Sequence, residues 1–359
     1  MKKLRVFHGL FEMAGQAYYS VKGLRQNGIE ASHMIWRNHY SNYGYGINLN
    51  IYRRKWYFLP YYLIKVAFYE LKILKEHNIF HFHAGNSLLL NHDLWLLKLC
   101  KKKIFVEFHG SELRDYALAR EINPYILVEG SDLGIERRRK KVQKACKNAD
   151  GVILHDDELI PHLPQNVKNV FVVPLRIDLK RFKPQYAPKE KEKICIVHAP
   201  SNRDVKGTDY IIEAVESLNR IYDIEFVLVE NKSQSEAREL YKRADIIVDQ
   251  LKLGTYGVFA IEGMALGKPV VTYISDNMRE KLPTDLPISS ANPDTIKDVL
   301  EELIKNGNLR YQTGINGRRY VEKYHDCRKN AKMLCEIYNG SIQPITGREA
   351  FLHASEERI

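Results

Sequence analysis

Cysteine is scarce in this chain of 359 residues. There are five, Cys100, Cys146, Cys195, Cys327 and Cys335, and no two stand in C-x-x-C spacing. An odd, scattered set argues against a disulfide framework and suggests reduced thiols in a cytoplasm. Long apolar runs are missing too. No stretch reaches the roughly 18 uninterrupted apolar residues of a spanning helix. The longest candidate, 56–69, is interrupted by Lys65. Met1 to His8 reads as a first strand, and no cleavable secretion signal is expected after it. No internal repeat or low-complexity tract stands out. No D-x-D pair of acids occurs either.

What remains is long enough for two cores. Charge is unevenly divided between the halves. Residues 1–190 hold 31 Lys and Arg against 18 Asp and Glu, a net of +13, whereas 191–359 hold 24 against 26, a net of −2. The excess concentrates in 53–65, where cations mix with aromatics, and in 136–147, a basic helix. Such segments suit an anionic membrane surface. The plainer alternatives are a core segment and a solvated helix face. Nucleic acid is disfavoured, because no nucleic-acid motif accompanies the charge.

Strand and helix patterns alternate. Residues 4–8, 79–83, 104–109, 151–155 and 169–173 read as strands, and 16–27 as a helix stopped by Gly28. This is a doubly wound parallel α/β sheet. Residues 193–198 read as a buried strand, 199–206 as a loop and 207–218 as a helix with Thr208 as N-cap. Arg203 and Lys206 lie on that loop, at the carboxyl end of a strand, where ligands of open α/β sheets bind. Further on, a glycine-containing loop through Thr255, Tyr256 and Gly257 enters a helix at Val258, with Glu262 about one turn inside. Loop amides and a helix N-terminus favour an anion such as a diphosphate. A carboxylate on the same side can hold two adjacent hydroxyls. Diphosphate plus diol describes a nucleotide-sugar, although Glu262 alone could equally be a solvated helix residue.

Together these motifs resemble the retaining glycosyltransferases of the GT-B fold, family 4 (glycosyl transferases group 1). Val205-Lys206-Gly207 matches that family's Lys-Gly after a strand. Glu262-Gly-Met-Ala-Leu-Gly-Lys-Pro-Val270 matches the second half of its Glu-x7-Glu signature. Val173-Pro-Leu-Arg-Ile-Asp-Leu-Lys-Arg-Phe-Lys-Pro184 is similar to its interdomain segment, Val-Pro-Asn-Gly-Val-Asp-x-x-x-Phe-x-Pro. The chain departs from the family in three places. Gly254 stands where the first Glu of Glu-x7-Glu belongs. Arg203 precedes Lys206 by three residues rather than five. A longer stretch with a further strand is replaced by 231–235.

The resemblance implies two Rossmann-like doubly wound domains facing each other across a cleft. An acceptor-binding domain would span 1–175, a linker 176–190 and a nucleotide-sugar-binding domain 191–316. A helix over 317–340 would return to the first domain, before a tail, 341–359. The stripe Tyr320, Tyr324, Cys327, Ala331, Leu334, Tyr338 supports one long amphipathic helix there. The implied activity is transfer of a sugar, from a UDP-sugar, to a glycan, lipid-linked or other hydroxyl acceptor with retention of configuration. Its setting would be cytoplasmic or peripheral on the inner membrane face, in cell-surface polysaccharide synthesis. No metal and no cofactor beyond the nucleotide-sugar co-substrate is implied. His109, in Phe108-His-Gly-Ser-Glu, matches the family's His-Gly-Ser-Asp and, with Arg203 and Lys206, is assigned to catalysis. Gly15, Arg203, Lys206, Thr255, Tyr256, Gly257, Val258 and Glu262 are assigned to the donor. An epimerase of the same fold, or a non-catalytic glycan- or partner-binding member, are the alternatives.

Other histidines are given structural roles. His81 and His83 are expected on opposite faces of one strand, in core or hinge positions. Asp156 or Asp157, in His155-Asp-Asp-Glu158, is expected to cap a helix rather than hold a metal.

Overall fold

The computed structural model of the chain describes residues 3–36, 46–49, 59–127 and 132–345. Arg53, Arg54, Lys55 and Trp56, and most of the tail, lie outside these residues. The chain forms two compact units. One comprises Met1–Arg114, Gly130–Arg176 and Cys327–Ile359, the other Asp115–Glu129 and Ile177–Asp326.

The first unit is built on β1 (Arg5–Leu10), β2 (Glu30–Ile35), β3 (Ile47–Asn48), β4 (Ile79–His83), β5 (Lys103–Glu107), β6 (Gly151–Leu154) and β7 (Val170–Val172). All pair in parallel, in the order β3-β2-β1-β4-β5-β6-β7. Strands such as β4 and β6 are buried along their whole length. That is why they read as unbroken β-branched and aromatic runs rather than as alternating patterns. Helices such as Gln16–Gln26, Leu59–Glu76 and Asp132–Asn148 connect them.

The second unit carries β8 (Ile194–His198), β9 (Ile224–Leu228), β10 (Ile246–Val248), β11 (Val270–Val271) and β12 (Ile288–Ser289). They too are parallel, in the order β12-β11-β10-β8-β9. The order reverses between β8 and β10. Ligands of open α/β sheets bind outside the carboxyl ends of the strands at such a switch point. The loops leaving β8 and β10 there are the two that carry Lys206 and Gly257.

Several boundaries differ from expectation. Residues 115–129 join the second unit, held by Asn123 Nδ2 donating to the Lys252 carbonyl (2.7 Å) and by Tyr125 bonding Asp294. Residues 177–190 also pack into that unit rather than forming a loose linker. Phe182 and Ala187 are fully buried, and Gln185 N donates to the Leu266 carbonyl at 2.7 Å. The C-terminal stripe is split between two helices, Gly307–Tyr324 and Cys327–Asn339. Between them the His325 carbonyl accepts from Ile177 N (2.9 Å), and Asp326 forms a parallel bridge with Ile177.

Two local readings also change. The segment 199–206 contains a helical turn, Arg203–Lys206, capped by Asn202 Oδ1 accepting from Val205 N (3.1 Å). Gly207, at φ 74°, caps the next helix, and Thr208 instead bonds His198 Nε2 with its hydroxyl (2.9 Å).

Candidate functional site

In the second unit the loops from β8 and β10 bring three expected groups together. Lys206 Nζ donates to Asp249 Oδ1 at 2.7 Å and to Gln250 Oε1 at 2.6 Å. The other Asp249 oxygen accepts from Gly257 N at 3.2 Å. Gly257 is the N-cap of helix Val258–Ala265. Fully buried Asp249 therefore occupies both the ammonium and the helix-entry amide expected to meet a diphosphate. The protein's own carboxylate fills this position. Gln250 braces the same loop by donating to the Thr255 carbonyl.

Glu262 lies on the buried side of helix Val258–Ala265. Burial raises its carboxyl from 4.5 to about 7, against the lowering effect of Arg238 and Arg181. A group so perturbed at the end of a switch-point loop has the environment of a ligand-binding carboxylate. Arg203 is elsewhere engaged: its Nε and Nη2 hold Glu230 bidentately at 2.8 and 2.6 Å, on the exposed side of the loop. Tyr256 points into the protein, its hydroxyl 3.0 Å from Tyr320 Oη and 3.2 Å from His325 Nε2. Thr255 is buried and Val258 opens the helix. Of the expected donor residues, Lys206 and Gly257, the cap of helix Val258–Ala265, are brought together through the Asp249 carboxylate they share.

Gly254 has a conformational reason to be glycine. Its φ is +80°, and a Cβ there would stand 3.1 Å from Ser275 Oγ and 3.2 Å from Asn123 Nδ2. A side chain here, such as the carboxylate that the resembled family places at this position, would be strained.

In the first unit Gly15, at φ 85°, caps helix Gln16–Gln26. Glu12 turns back onto this helix start, its Oε2 accepting from Tyr18 N at 3.0 Å. Burial lifts the Glu12 carboxyl to about 7, although the amides of Tyr18, Ala17 and Gly15 pull it down. Gln16 clasps the Arg176 backbone through Oε1 (2.9 Å) and Nε2 (3.1 Å). The fully buried Arg176 guanidinium pairs with fully buried Glu107. Burial acts to raise Glu107, but Arg176, His83 and His109 outweigh it and keep the carboxyl below its usual range.

Four histidines gather around that pair. His83 bonds His8 through Nε2 and His109 through Nδ1, each at 3.0 Å. His81 Nε2 lies 3.0 Å from Glu107, and its Nδ1 is 2.6 Å from Tyr338 Oη. The expectation that His81 and His83 face opposite ways is corrected. Residues two apart on a strand share a face, and the two rings stack 4.9 Å apart. Burial holds all four imidazoles well below their ordinary range, hence neutral. The groups His8–His81–His83 and His83–Glu107–His109 have the ligand spacing of a cation site. The Arg176 guanidinium on Glu107 already supplies a positive charge there, so the arrangement fits a hydrogen-bonded network better than a metal centre. At the end of β6, Asp156 caps the following turn by accepting from Glu158 N (3.1 Å), as expected.

Sequence reasoning singled out Lys206, Gly257, Glu262 and His109 and passed over Asp249, Glu12, Glu107 and Arg176, which the structure places beside them or beside the Gly15 helix start. One signal for Arg176 was available: Leu175-Arg176 stands where the resembled interdomain segment has Asn-Gly.

Comparison with known proteins agrees with this architecture. Residues 225–320 match the family model described as glycosyl transferases group 1. Sucrose-phosphate synthase from Thermosynechococcus elongatus superposes with a TM-score of 0.66 at 16% identity, covering 95% of this chain and 99% of that one. A glycosyltransferase from Rickettsia africae gives 0.63 at 14% identity, covering 95% and 99%. Anabaena HepE, solved with UDP and glucose, gives 0.62 at 11% identity, covering 94% and 100%. In sequence, an uncharacterized glycosyltransferase of Methanocaldococcus jannaschii is 27% identical over 142 residues, 33% of this chain and 40% of that protein. The fold is that of the GT-B glycosyltransferases. The segment that matches the glycosyl transferases group 1 model lies in the second unit.

Proposed function

We propose that this chain is a retaining, family 4 glycosyltransferase, moving a sugar from a UDP-sugar to a hydroxyl of a glycan or lipid-linked acceptor. The observation that carries the reading is the junction of Lys206, the Gly257 amide and the Glu262 helix at the switch point of the second sheet. The diphosphate would displace Asp249 from the ammonium and the amide. Lys206 then stabilises the charge that grows on the leaving diphosphate. Helix-entry amides add to this, because they are already oriented and need no reorganisation. Glu262 accepts from the ribose diol. Arg203 joins them only by leaving Glu230, and His109 contacts the transferred sugar. The departing phosphate oxygen takes the acceptor's proton on the same face, so no side-chain base is required. The lysine and amides replace a cation, which makes transfer metal-independent. The UDP and glucose bound to HepE support this donor. Cell-surface polysaccharide synthesis at the cytoplasmic side of a membrane is the setting that suits the basic first half.

A thermal-shift screen against UDP, GDP, ADP and their sugars tests the donor. A ligand at about 100 times its dissociation constant adds roughly 2.7 kcal/mol of stability. Stabilisation by UDP, and transfer that persists in saturating chelator, are expected. No stabilisation by any nucleotide would remove the reading. A second reading, a non-catalytic binder, is favoured by one feature: Asp249 fills the anion cradle where the first Glu is also absent. Tight nucleotide-sugar binding without turnover across an acceptor panel would decide for it. Product formed without any acceptor would point to an epimerase.

A further inference from the structure

We infer that helix Leu59–Glu76 is the element by which this protein docks on an anionic lipid surface, its outer apolar face seated among the headgroups. This rests on the membrane setting proposed above and names the surface that would serve it. The helix is apolar on two sides. One side carries Tyr62, Val66, Ile73 and Leu74, all buried in the core of the first unit. The other carries Tyr61, Ile64, Phe68 and Leu71, which are 59, 72, 68 and 61% exposed. Their spacing of three, four and three places them on one stripe. A soluble helix normally turns charge outward opposite its core face. A contiguous apolar stripe left in water marks a docking surface.

The charge around the stripe selects the partner. Lys72 and Lys75 are exposed on the helix, and half-buried Lys65 donates to the Leu49 carbonyl (3.0 Å). Among its acids, Glu70 is buried, and burial with nearby Asp93 raises its carboxyl to about 7. Glu76 lies 3.9 Å from Lys72, so these two exposed charges offset each other and Lys75 is left in excess. The neighbouring elements continue the pattern. Tyr62 Oη donates to the Leu88 carbonyl (3.0 Å), and Lys102 Nζ reaches the Leu74 and His77 carbonyls. This ties the helix to the segment that holds helix Leu94–Leu99, which exposes Trp95 and Leu99 beside Lys98 and Lys101. That segment in turn meets the basic helix Asp132–Asn148, where Lys144 Nζ lies 3.4 Å from His92 Nδ1.

Exposed apolar and aromatic side chains framed by lysines are the composition of an interfacial helix. No helix of the described residues is long and apolar enough to cross a bilayer. The helix therefore lies on the membrane rather than through it. A protein partner of the same affinity would not need the surrounding excess of positive charge. A second copy of this chain would bring like charges together.

Co-sedimentation of the full chain with phosphatidylcholine vesicles, with and without about 30% phosphatidylglycerol, tests the assignment. Binding should require the anionic lipid and fall steeply with salt, because attraction fades within a Debye length of roughly 8 Å at physiological ionic strength. Ile64→Ser with Phe68→Ser should weaken binding at least about tenfold, the side chains losing their burial in lipid. Both positions are exposed, so melting temperature and UDP binding should stay unchanged. Lys72→Glu with Lys75→Glu should weaken binding further at low salt only. Unchanged vesicle binding by the serine variant would overturn the assignment, as would no binding to anionic vesicles. A soluble dimer of the wild type that the serine variant abolishes would give the stripe to self-association instead. Vesicle binding without nucleotide binding would leave the docking face standing and remove the transferase reading.

Discussion

In the proposed donor site Glu262 serves binding at the expense of stability. Its carboxyl is raised from 4.5 to about 7, first by burial. The unfolded chain releases this proton from about pH 4.5 upward, while the folded chain holds it until about 7. Stability from this group is therefore full below 4.5, is lost as pH rises to 7, and stays low above. At about 1.36 kcal/mol per pH unit, Glu262→Gln should stabilise the unliganded protein at pH 8 by up to about 3 kcal/mol. The same change should weaken UDP binding, since charge-assisted bonds to a diol contribute about 1.5–3 kcal/mol each. Urea denaturation and calorimetric titration measure the two. Unchanged UDP affinity would reassign Glu262 to structure. Lys206 is bound to the opposite consequence. Lys206→Ala leaves fully buried Asp249 without its cation, a loss of about 3–5 kcal/mol. Adding Asp249→Asn should recover most of it and give a variant fit for kinetics. That double variant should lose about 10²–10³ in turnover number, with a smaller change in donor affinity. A raised Michaelis constant at unchanged turnover would take Lys206 out of leaving-group stabilisation.

At the scale of elements, the sheets were legible where strands are buried on both faces. β4, β6 and β8 appear in the sequence as short β-branched and aromatic runs with little alternation. β3, β11 and β12 are two residues long, too short for any periodicity to show. The C-terminal stripe was read as one helix because its spacing runs unbroken through residues 324–327. The break there comes from Ile177, distant in sequence, bonding His325. The second of the two helices, Cys327–Asn339, packs on Gln16–Gln26 at Gly23. A Cβ on Gly23 would stand 2.1 Å from the Cys327 carbonyl oxygen and 2.8 Å from Ala331 Cβ. Gly23→Ala should therefore destabilise the first unit despite alanine's better helix propensity. Overpacking of this kind costs about 1–3 kcal/mol. A denaturation midpoint equal to or above that of the wild type would contradict such close helix contact.

The whole molecule should respond to acid unevenly. In the first unit His8, His81, His83 and His109 are held well below the ordinary 6.5 by burial. They stay neutral when folded and take up protons when unfolded. Their contribution is intact above 6.5 and is lost as pH falls below it. Glu12 and Glu70, raised to about 7 by burial, oppose this together with Asp93 and Glu112, also raised by burial, but His33 and His77, lowered by burial, join the histidines, so that four stand against six. All three tryptophans, Trp36, Trp56 and Trp95, belong to the first unit, so their fluorescence reports that unit selectively. Its urea midpoint should fall between about pH 7 and pH 5.5. A flat or rising midpoint would mean that the histidine network accepts protons without unfolding.

By itself the sequence determined the parallel α/β class, the two-unit scale, the glycine-containing loop that enters a helix ahead of Glu262, and the charge asymmetry. These depend on local periodicity, on residue types at fixed short spacing and on composition. Only the tertiary structure decided that Asp249 fills the cradle of Lys206 and Gly257, and that Arg176 joins Glu107 and four histidines in one buried network. It alone decided that a side chain at Gly254 would be strained, and that helix Leu59–Glu76 leaves an apolar stripe in water. Each of these depends on groups brought together from separate strands and loops, or on which face a neighbour covers. Spacing along the chain carries no record of either.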